Sequence, residues 1–96
     1  MHPQQDFIVI DTEGKNELRE IAIIDSQGEL IYEAFAKEHL SNYEKVLNLK
    51  PLREIVVDFL KIAKTKLIIF HYAKHDIKVL KNSCRKVGLL WKNLTL

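Results

Sequence analysis

The sequence predicts an α/β fold whose strands and helices follow the order βββ-α-β-α and build a mixed sheet. Two observations support this prediction. Short runs of β-branched and aromatic residues, separated by turn residues, fill the first third of the chain. Two apolar stripes at helical spacing then flank another strand-like run in the second half. A meander followed by an α-β crossover places the fourth strand parallel to one of the first three.

Three strand-like runs occupy the first part of the chain. Residues 7–10 (FIVI) predict a central, buried strand that ends at Asp11. A turn begins at Gly14, and residues 18–25 contain the second run, IAII. Alternating residues at 29–35 predict the third strand. Because the connections are short, we expect the three strands to form an antiparallel meander.

The segment after the meander is polar. Residues 36–50 are poorly periodic, which predicts a loop with a helical turn near residues 43–47. Pro51 suits the first turn of a helix, and apolar residues then recur at helical spacing to about Lys64. This pattern predicts an amphipathic helix that packs on the sheet.

A second strand and helix follow. Residues 66–70 (KLIIF) predict the fourth strand, and another apolar stripe runs from Ala73 to Gly88, which we expect to end the helix. The single cysteine, Cys84, lies in this stripe and is predicted to be inert packing. The apolar tail at residues 89–96 includes the only tryptophan, Trp91, and predicts core or a partner surface. A base-stacking platform is the less favoured alternative, because stacking needs a basic groove around the ring.

The composition fits one soluble globular domain. The chain has 96 residues, of which 47% are hydrophobic and 29% charged. No apolar run is long enough to span a bilayer, and the start lacks the basic region of a signal peptide. A lone cysteine without a secretion signal fits a reducing compartment. We therefore expect a cytoplasmic protein with no membrane contact.

Charge is divided unevenly along the chain. The net charge is +2, yet residues 1–60 carry 6 Lys/Arg against 12 Asp/Glu, whereas residues 61–96 carry 9 against 1. Four basic residues in the second half recur at helical spacing and predict one basic helix face: Lys74, Lys78, Lys81 and Arg85. Such a face can lie along a phosphate backbone. An ordinary solvated face opposite the apolar stripe is the alternative.

Two carboxylates end the first strand. Asp11 and Glu13 are separated by one residue and therefore face the same side of a strand. Like charges this close favour a neutralising cation, and Mg²⁺ prefers carboxylate oxygens together with water and phosphate. Two solvated acids at a strand end are the alternative for so short a pattern.

Asp76 strengthens the metal hypothesis. It lies near the start of the helix that follows the fourth strand, and the connection can return it to the same edge of the sheet as Asp11. Three carboxylates from two strand ends indicate a metal site, and two ions about 3.5–4 Å apart recur in phosphodiester cleavage. Considered alone, Asp76 would be a first-turn acid that suits the helix dipole.

Two longer motifs stand in a recognisable order. In the first motif, residues 8–14 (IVIDTEG), hydrophobic residues are followed by D-x-E. In the second, residues 67–80 (LIIFHYAKHDIKVL), a predicted strand leads to a pattern like H-N-x-x-x-D, and further hydrophobic residues follow. Both resemble motifs of the DEDD-type (DnaQ-like) 3′–5′ exonucleases, and the resemblance covers essentially the whole chain. It implies a ribonuclease-H-like mixed sheet that is truncated before its last strand and helices, so that residues 1–96 form a partial exonuclease domain.

The resemblance implies metal-dependent hydrolysis at the 3′ end of DNA or RNA, with a single strand as the partner and nucleoside monophosphates as products. Asp11 and Glu13 would ligate two Mg²⁺ or Mn²⁺ ions, with Asp11 bridging them. Asp76 would act on the second ion, directly or through water. The candidate substrate-binding residues, including two from the basic face, are Thr12, Gly14, His71, Tyr72, Lys74 and Lys78.

The chain also departs from the family pattern. Tyr72 stands where the family usually has Asn, and residues 14–16 (GKN) replace a common T-T-G run. The third motif, which supplies a further Asp ligand and a His or Tyr general base, is absent from these 96 residues. His71 fits the structural His of the second motif, and His75 fits a usually hydrophobic position, so neither is predicted to be the base. We expect a weakly active or inactive fragment.

The alternative is a non-catalytic, exonuclease-like interaction module. Such a module would oligomerise or bind a partner chain, or be completed by a missing C-terminal segment, at an exposed sheet edge. A partner chain completing the active site in trans is a third possibility. The sequence does not distinguish a DNA substrate from an RNA substrate, because metal-dependent hydrolysis of the phosphodiester does not depend on the sugar.

Overall fold

The computed structural model describes residues 6–39 and 48–91. The elements are β1 (Phe7–Glu13), β2 (Glu20–Asp25), β3 (Leu30–Ala36), a 3₁₀ turn (Lys37–His39), β4 (Leu49–Lys50), α1 (Leu52–Ala63), β5 (Leu67–Phe70) and α2 (Ala73–Lys86). The predicted order βββ-α-β-α is confirmed, with the two-residue β4 added before α1. The helical turn predicted near residues 43–47 and the end of the apolar tail lie outside the described residues.

The five strands form one mixed sheet in the order β4-β3-β2-β1-β5. β1, β2 and β3 form the antiparallel meander that the sequence predicts. β5 is parallel to β1, with Phe7 opposite Leu67 and Ile10 opposite Phe70. β4 is parallel to β3. The α/β class and the parallel pairing of the strand after α1 are therefore confirmed, and within the described ranges β4 and β5 are the two edges.

Alternation along β1 assigns its side chains to two faces of the sheet. Ile8, Ile10 and Thr12 are buried, whereas Asp11 and Glu13 are exposed. The strand extends two residues beyond its predicted end, because the N–H of Arg19 donates to the carbonyl oxygen of Glu13 at 2.8 Å. The D-x-E motif therefore lies within β1, where the period of two is strictly kept.

Both described helices pack on the face that carries Ile8, Ile10 and Thr12. The helix residues that are buried there are Leu52, Ile55, Val56, Phe59 and Ala63 of α1 and Asp76, Val79, Leu80, Ser83 and Cys84 of α2. Trp91 covers the end of this core by stacking on Phe59, with ring centroids 6.2 Å apart. The predicted packing roles of Cys84 and of the tryptophan are thus confirmed, and burial raises the pKa of the Cys84 thiol.

The start of α1 is capped by a side chain from the 3₁₀ turn. Pro51 precedes the helix and offers no side-chain oxygen. Instead, the backbone N–H of Leu52 donates to Oε1 and Oε2 of Glu38 at 3.0 and 3.2 Å. A carboxylate is favourable here because it satisfies an unpaired N–H and faces the positive end of the helix dipole.

The other face of the sheet carries Asp11 and Glu13 and has no helix over it in residues 6–39 and 48–91. Aliphatic side chains on this face are therefore exposed to solvent: Ile69 is 43% and Leu30 is 57% exposed. With 12 and 14 residues, α1 and α2 are too short to cross a bilayer, and no other helix in the described ranges could do so.

Candidate functional site

The two carboxylates of the D-x-E motif lie side by side on the open face of the sheet. Asp11 and Glu13 are both exposed, as their spacing along the strand predicts. Oε2 of Glu13 accepts a hydrogen bond from Nη2 of Arg19 at 2.7 Å, and about half of each of these two side chains is exposed. Solvent screening makes this ion pair weak, so Arg19 leaves Glu13 available to a ligand.

Two further carboxylates share this face. Glu20 is directly opposite Glu13 on β2, and Glu33 follows on β3, across Ala22 from Asp11. We call Asp11, Glu13, Glu20 and Glu33 the acidic sheet face. Burial, together with repulsion from Glu13, Glu33 and Asp11, raises the pKa of Glu20. The face therefore groups four carboxylates, which Arg19, paired with Glu13, offsets only in part.

Asp76, the acid of the second motif, has a different environment. Its side chain is only 1% exposed. Oδ1 accepts hydrogen bonds from the hydroxyl of Thr12 at 2.6 Å and from the backbone N–H of Thr12 at 3.3 Å, and Oδ2 accepts one from the backbone N–H of Tyr72 at 2.8 Å. The carboxylate therefore ties the residue that precedes α2 to the middle of the D-x-E motif.

The three predicted metal ligands do not form one group. Within residues 6–39 and 48–91, no cluster of three or more His, Cys, Asp or Glu side chains could hold a metal ion. The reason is the strand alternation. Asp76 reaches β1 through Thr12, on the helix side of the sheet, whereas Asp11 and Glu13 point to the opposite side. The expected return of Asp76 to the end of β1 is observed, but its expected place beside Asp11 and Glu13 is not.

His75 joins the second motif to the loop after β1. Its Nε2 lies 2.9 Å from the carbonyl oxygen of Gly14, and its Nδ1 lies 3.5 Å from Oδ1 of Asp76. The carbonyl oxygen of Gly14 can only accept, so Nε2 of His75 donates in this contact. A ring engaged in this way positions the loop. This positioning role was not predicted, because the sequence does not reveal what lies across from His75.

An open cavity of about 670 Å³ lies beside these contacts. It is lined by Thr12, Glu13, Gly14, Lys15, Asn16, Glu17, Arg19, His39 and His75. Gly14 is required by the loop itself. Its φ is +151°, and a Cβ there would lie 2.0 Å from the carbonyl oxygen of Glu17. The loop thus turns tightly at Gly14 and leaves a space next to the D-x-E motif that a polar ligand can enter.

The remaining candidate substrate-binding residues are accessible. His71, Tyr72, Lys74 and Lys78 are all exposed, and Tyr72 stacks on His75 with ring centroids 6.3 Å apart and an interplanar angle of 13°. The predicted basic helix face is confirmed as the outer side of α2. We call Lys74, Lys78, Lys81 and Arg85 the basic helix face. It begins next to Tyr72 and points away from the core.

The sequence matches no protein-family model and none of the curated proteins with which it was compared. The functional conclusion therefore depends on the residues of the site and on their geometry.

Proposed function

We propose that this chain is part of a metal-dependent 3′–5′ exonuclease of the ribonuclease-H-like fold, acting on a single-stranded 3′ end of DNA or RNA. The observation that carries the proposal is the contact between Thr12 and Asp76. These residues are 64 positions apart and belong to the two exonuclease-like motifs, and their side chains form a hydrogen bond where the parallel strands β1 and β5 end. Chance resemblance of two short motifs would not require them to meet.

The donor set of the open face fits one Mg²⁺ or Mn²⁺ ion. Mg²⁺ in phosphoryl-transfer sites commonly takes one or two carboxylates and completes its shell with water and substrate phosphate. Asp11 and Glu13 are exposed neighbours on one face and satisfy this requirement. When bound, such an ion would polarise the scissile phosphate and activate water. A second ion would need another carboxylate from outside the described residues or from a partner.

In this proposal Asp76 is a positioning residue. Its carboxylate holds the backbone and hydroxyl of Thr12, and so fixes the strand segment from which Asp11 and Glu13 project. The predicted nucleotide contact at Thr12 is not kept, because Thr12 is buried and its N–H and hydroxyl both donate to Asp76. Tyr72 and the backbone at Gly14 would contact the terminal nucleotide. Lys74 and Lys78 would contact phosphates, which adds affinity that falls with salt and is independent of base sequence.

The experiment is stepwise degradation of 5′-labelled single-stranded DNA and RNA by the purified chain with Mn²⁺. We expect slow trimming from the 3′ end that stops with a chelator and with Asp11→Asn. Glu29→Gln is the matched control, because Glu29 is an exposed acid in the β2–β3 turn, away from β1. Trimming that persists in Asp11→Asn would show that the D-x-E motif does not carry the activity.

A non-catalytic interaction module is the second candidate. It is favoured by the lack of a three-carboxylate cluster among the described side chains and by the uncovered sheet face. This candidate predicts no binding of Mn²⁺ at Asp11 and Glu13 and no trimming at any chain concentration. Titration of Mn²⁺ against the wild type and Asp11→Asn distinguishes it from a nuclease that binds metal but turns over slowly.

A further inference from the structure

The open face of the sheet combines two kinds of chemistry. At the end of β1 it carries the acidic sheet face. Towards the start of β1 it is aliphatic, because Val9 lies between Ile24 on β2 and Ile69 on β5. An aliphatic strip next to four carboxylates, of which Glu13 is paired with Arg19, fits a partner that is both basic and rich in methylene groups.

The basic helix face has the complementary chemistry. Asp76 is the only acid in α2, and it is buried on the opposite side of the helix. In the part of the chain that the structure describes, none of Lys74, Lys78, Lys81 and Arg85 takes part in an ion pair. Their charges repel one another along the helix, and their long aliphatic stems can cover apolar surface while the charged ends reach carboxylates.

We propose that the open sheet face of one copy of this chain docks on the basic helix face of a second copy. The carboxylates of the acidic sheet face would pair with the lysine and arginine head groups, and the aliphatic strip around Val9 and Ile69 would be covered by their stems. The inference uses no catalytic step. The contact would cover Asp11 and Glu13 of one copy and Lys74 and Lys78 of the other, so docking and substrate binding would compete for the same surfaces.

The arrangement of the two faces fixes the type of assembly. The sheet and the helices form two layers, so the open sheet face and the outer side of α2 lie on opposite sides of the molecule. A contact between unlike faces is heterologous, and each copy keeps one free face after pairing. The product is a closed ring or an open chain of copies whose size grows with concentration. Because charge carries much of the contact, salt dissociates it.

The test is sedimentation velocity at increasing concentrations of the 96-residue chain, at about 0.05 M and about 0.5 M NaCl, on either side of physiological ionic strength. We expect species larger than a dimer at low salt and smaller species at high salt. Glu33→Lys on the sheet and Lys78→Ala/Arg85→Ala on the helix should each weaken association by about tenfold or more, which corresponds to about 1.4 kcal/mol. The charge-matched controls are Glu29→Lys and the double variant Lys61→Ala/Lys64→Ala, all at exposed positions outside the two faces.

Mixing the two defective variants gives the sharpest result. The Glu33→Lys chain keeps an intact basic helix face, and the Lys78→Ala/Arg85→Ala chain keeps an intact sheet face. An equimolar mixture can therefore form one good contact and should stop at a 1:1 dimer. Wild-type chains that stay monomeric, association that survives both variants, or a mixture that forms no dimer would each overturn the proposal. Loss of strand trimming in the nuclease assay would leave these outcomes unchanged, so the two proposals fail separately.

Discussion

The hydroxyl of Thr12 lies 2.6 Å from Oδ1 of Asp76, and this hydrogen bond joins the central strand to the start of α2 across 64 residues of sequence. The carboxylate is buried and receives two further backbone N–H groups. A buried charge is tolerated only when donors surround it. The contact therefore requires both residues.

Removing the hydroxyl of Thr12 should destabilise the fold. In Thr12→Val the shape is nearly kept, but Asp76 loses its shortest donor while remaining buried, so we expect the free energy of unfolding to fall by about 1–3 kcal/mol. Thr12→Ser retains the hydroxyl and is the control, with a smaller loss. Urea unfolding followed by circular dichroism measures both. A Thr12→Val chain as stable as the wild type would show that the hydrogen bond contributes nothing net.

Asp11 and Asp76 should respond differently to amide substitution. Asp11→Asn removes a charge from the open face, so Mn²⁺ affinity, measured by electron paramagnetic resonance, should fall by about tenfold or more, equivalent to about 1.4 kcal/mol. Asp76→Asn should lower stability while leaving the affinity of the folded chain within about threefold, or about 0.6 kcal/mol. If Asp76→Asn lowered Mn²⁺ affinity and Asp11→Asn did not, Asp76 would be the principal metal ligand and Asp11 would not bind the ion.

Glu20 should make stability depend on pH in a defined direction. Its pKa is raised in the folded chain by burial and by Glu13, Glu33 and Asp11. A carboxyl group with a raised pKa stabilises the fold most below its unfolded pKa of about 4.3, and this contribution is lost as pH rises through the folded value. Glu20→Gln should therefore be more stable than the wild type at neutral pH, by about 0.5 kcal/mol.

The difference should vanish below about pH 3, where Glu20 is protonated in both the folded and the unfolded state. Glu29→Gln is the control, because Glu29 lies on an exposed turn. Thermal unfolding of the wild type, Glu20→Gln and Glu29→Gln across this pH range measures the difference in stability. A Glu20→Gln chain that is less stable than the wild type at neutral pH would mean that the carboxylate makes a favourable contact.

Two glycines with positive φ offer a matched pair. Gly28 has a φ of +86°, and a Cβ added there would have no heavy atom within 4 Å, so Gly28→Ala should cost only the backbone strain, about 1–2 kcal/mol. At Gly14 a Cβ would meet the carbonyl oxygen of Glu17, so the loop must move. We expect Gly14→Ala to cost more than Gly28→Ala, and to alter the amide resonances of the loop in NMR spectra. Equal costs would contradict the tight turn at Gly14.

Ser83 should be a structural residue of α2. Its hydroxyl accepts from the backbone N–H of Leu18 and donates to the carbonyl oxygen of Val79, both at 2.8 Å. Ser83→Ala leaves a buried N–H without a partner and should cost about 1–3 kcal/mol. The adjacent Asn82 donates to Asn16 near the surface, so Asn82→Ala should cost less. Chemical unfolding of both chains compares them, and a neutral Ser83→Ala would show that Leu18 finds another acceptor.

The sequence predicted the order of elements well, because the strand runs and helical stripes are long and regular. It placed the end of β1 too early, since the bond from Arg19 to Glu13 that prolongs the strand depends on the hairpin partner. β4 was missed because two residues carry no periodicity.

The candidate site was predicted in part. The shared face of Asp11 and Glu13 follows from a period of two within one strand. The side of the sheet from which Asp76 approaches could not be predicted from this period, because it depends on the face against which α2 packs. Glu20 and Glu33 were also missed as neighbours of the motif, since the cross-strand register that brings them there is set by the turns.

The two hydrogen-bonded neighbours of β1 differ greatly in distance along the chain. Ile10 pairs with Ile23, 13 positions later, and with Phe70, 60 positions later. Closing the longer loop costs more entropy and slows pairing, so the meander can form while the second half of the chain is still unfolded. We therefore expect Asp11 and Glu13 to be in place before Asp76 reaches Thr12 during folding. In the native state, β5 and α2 should accordingly open together, and their amides should exchange with solvent while those of the meander stay protected.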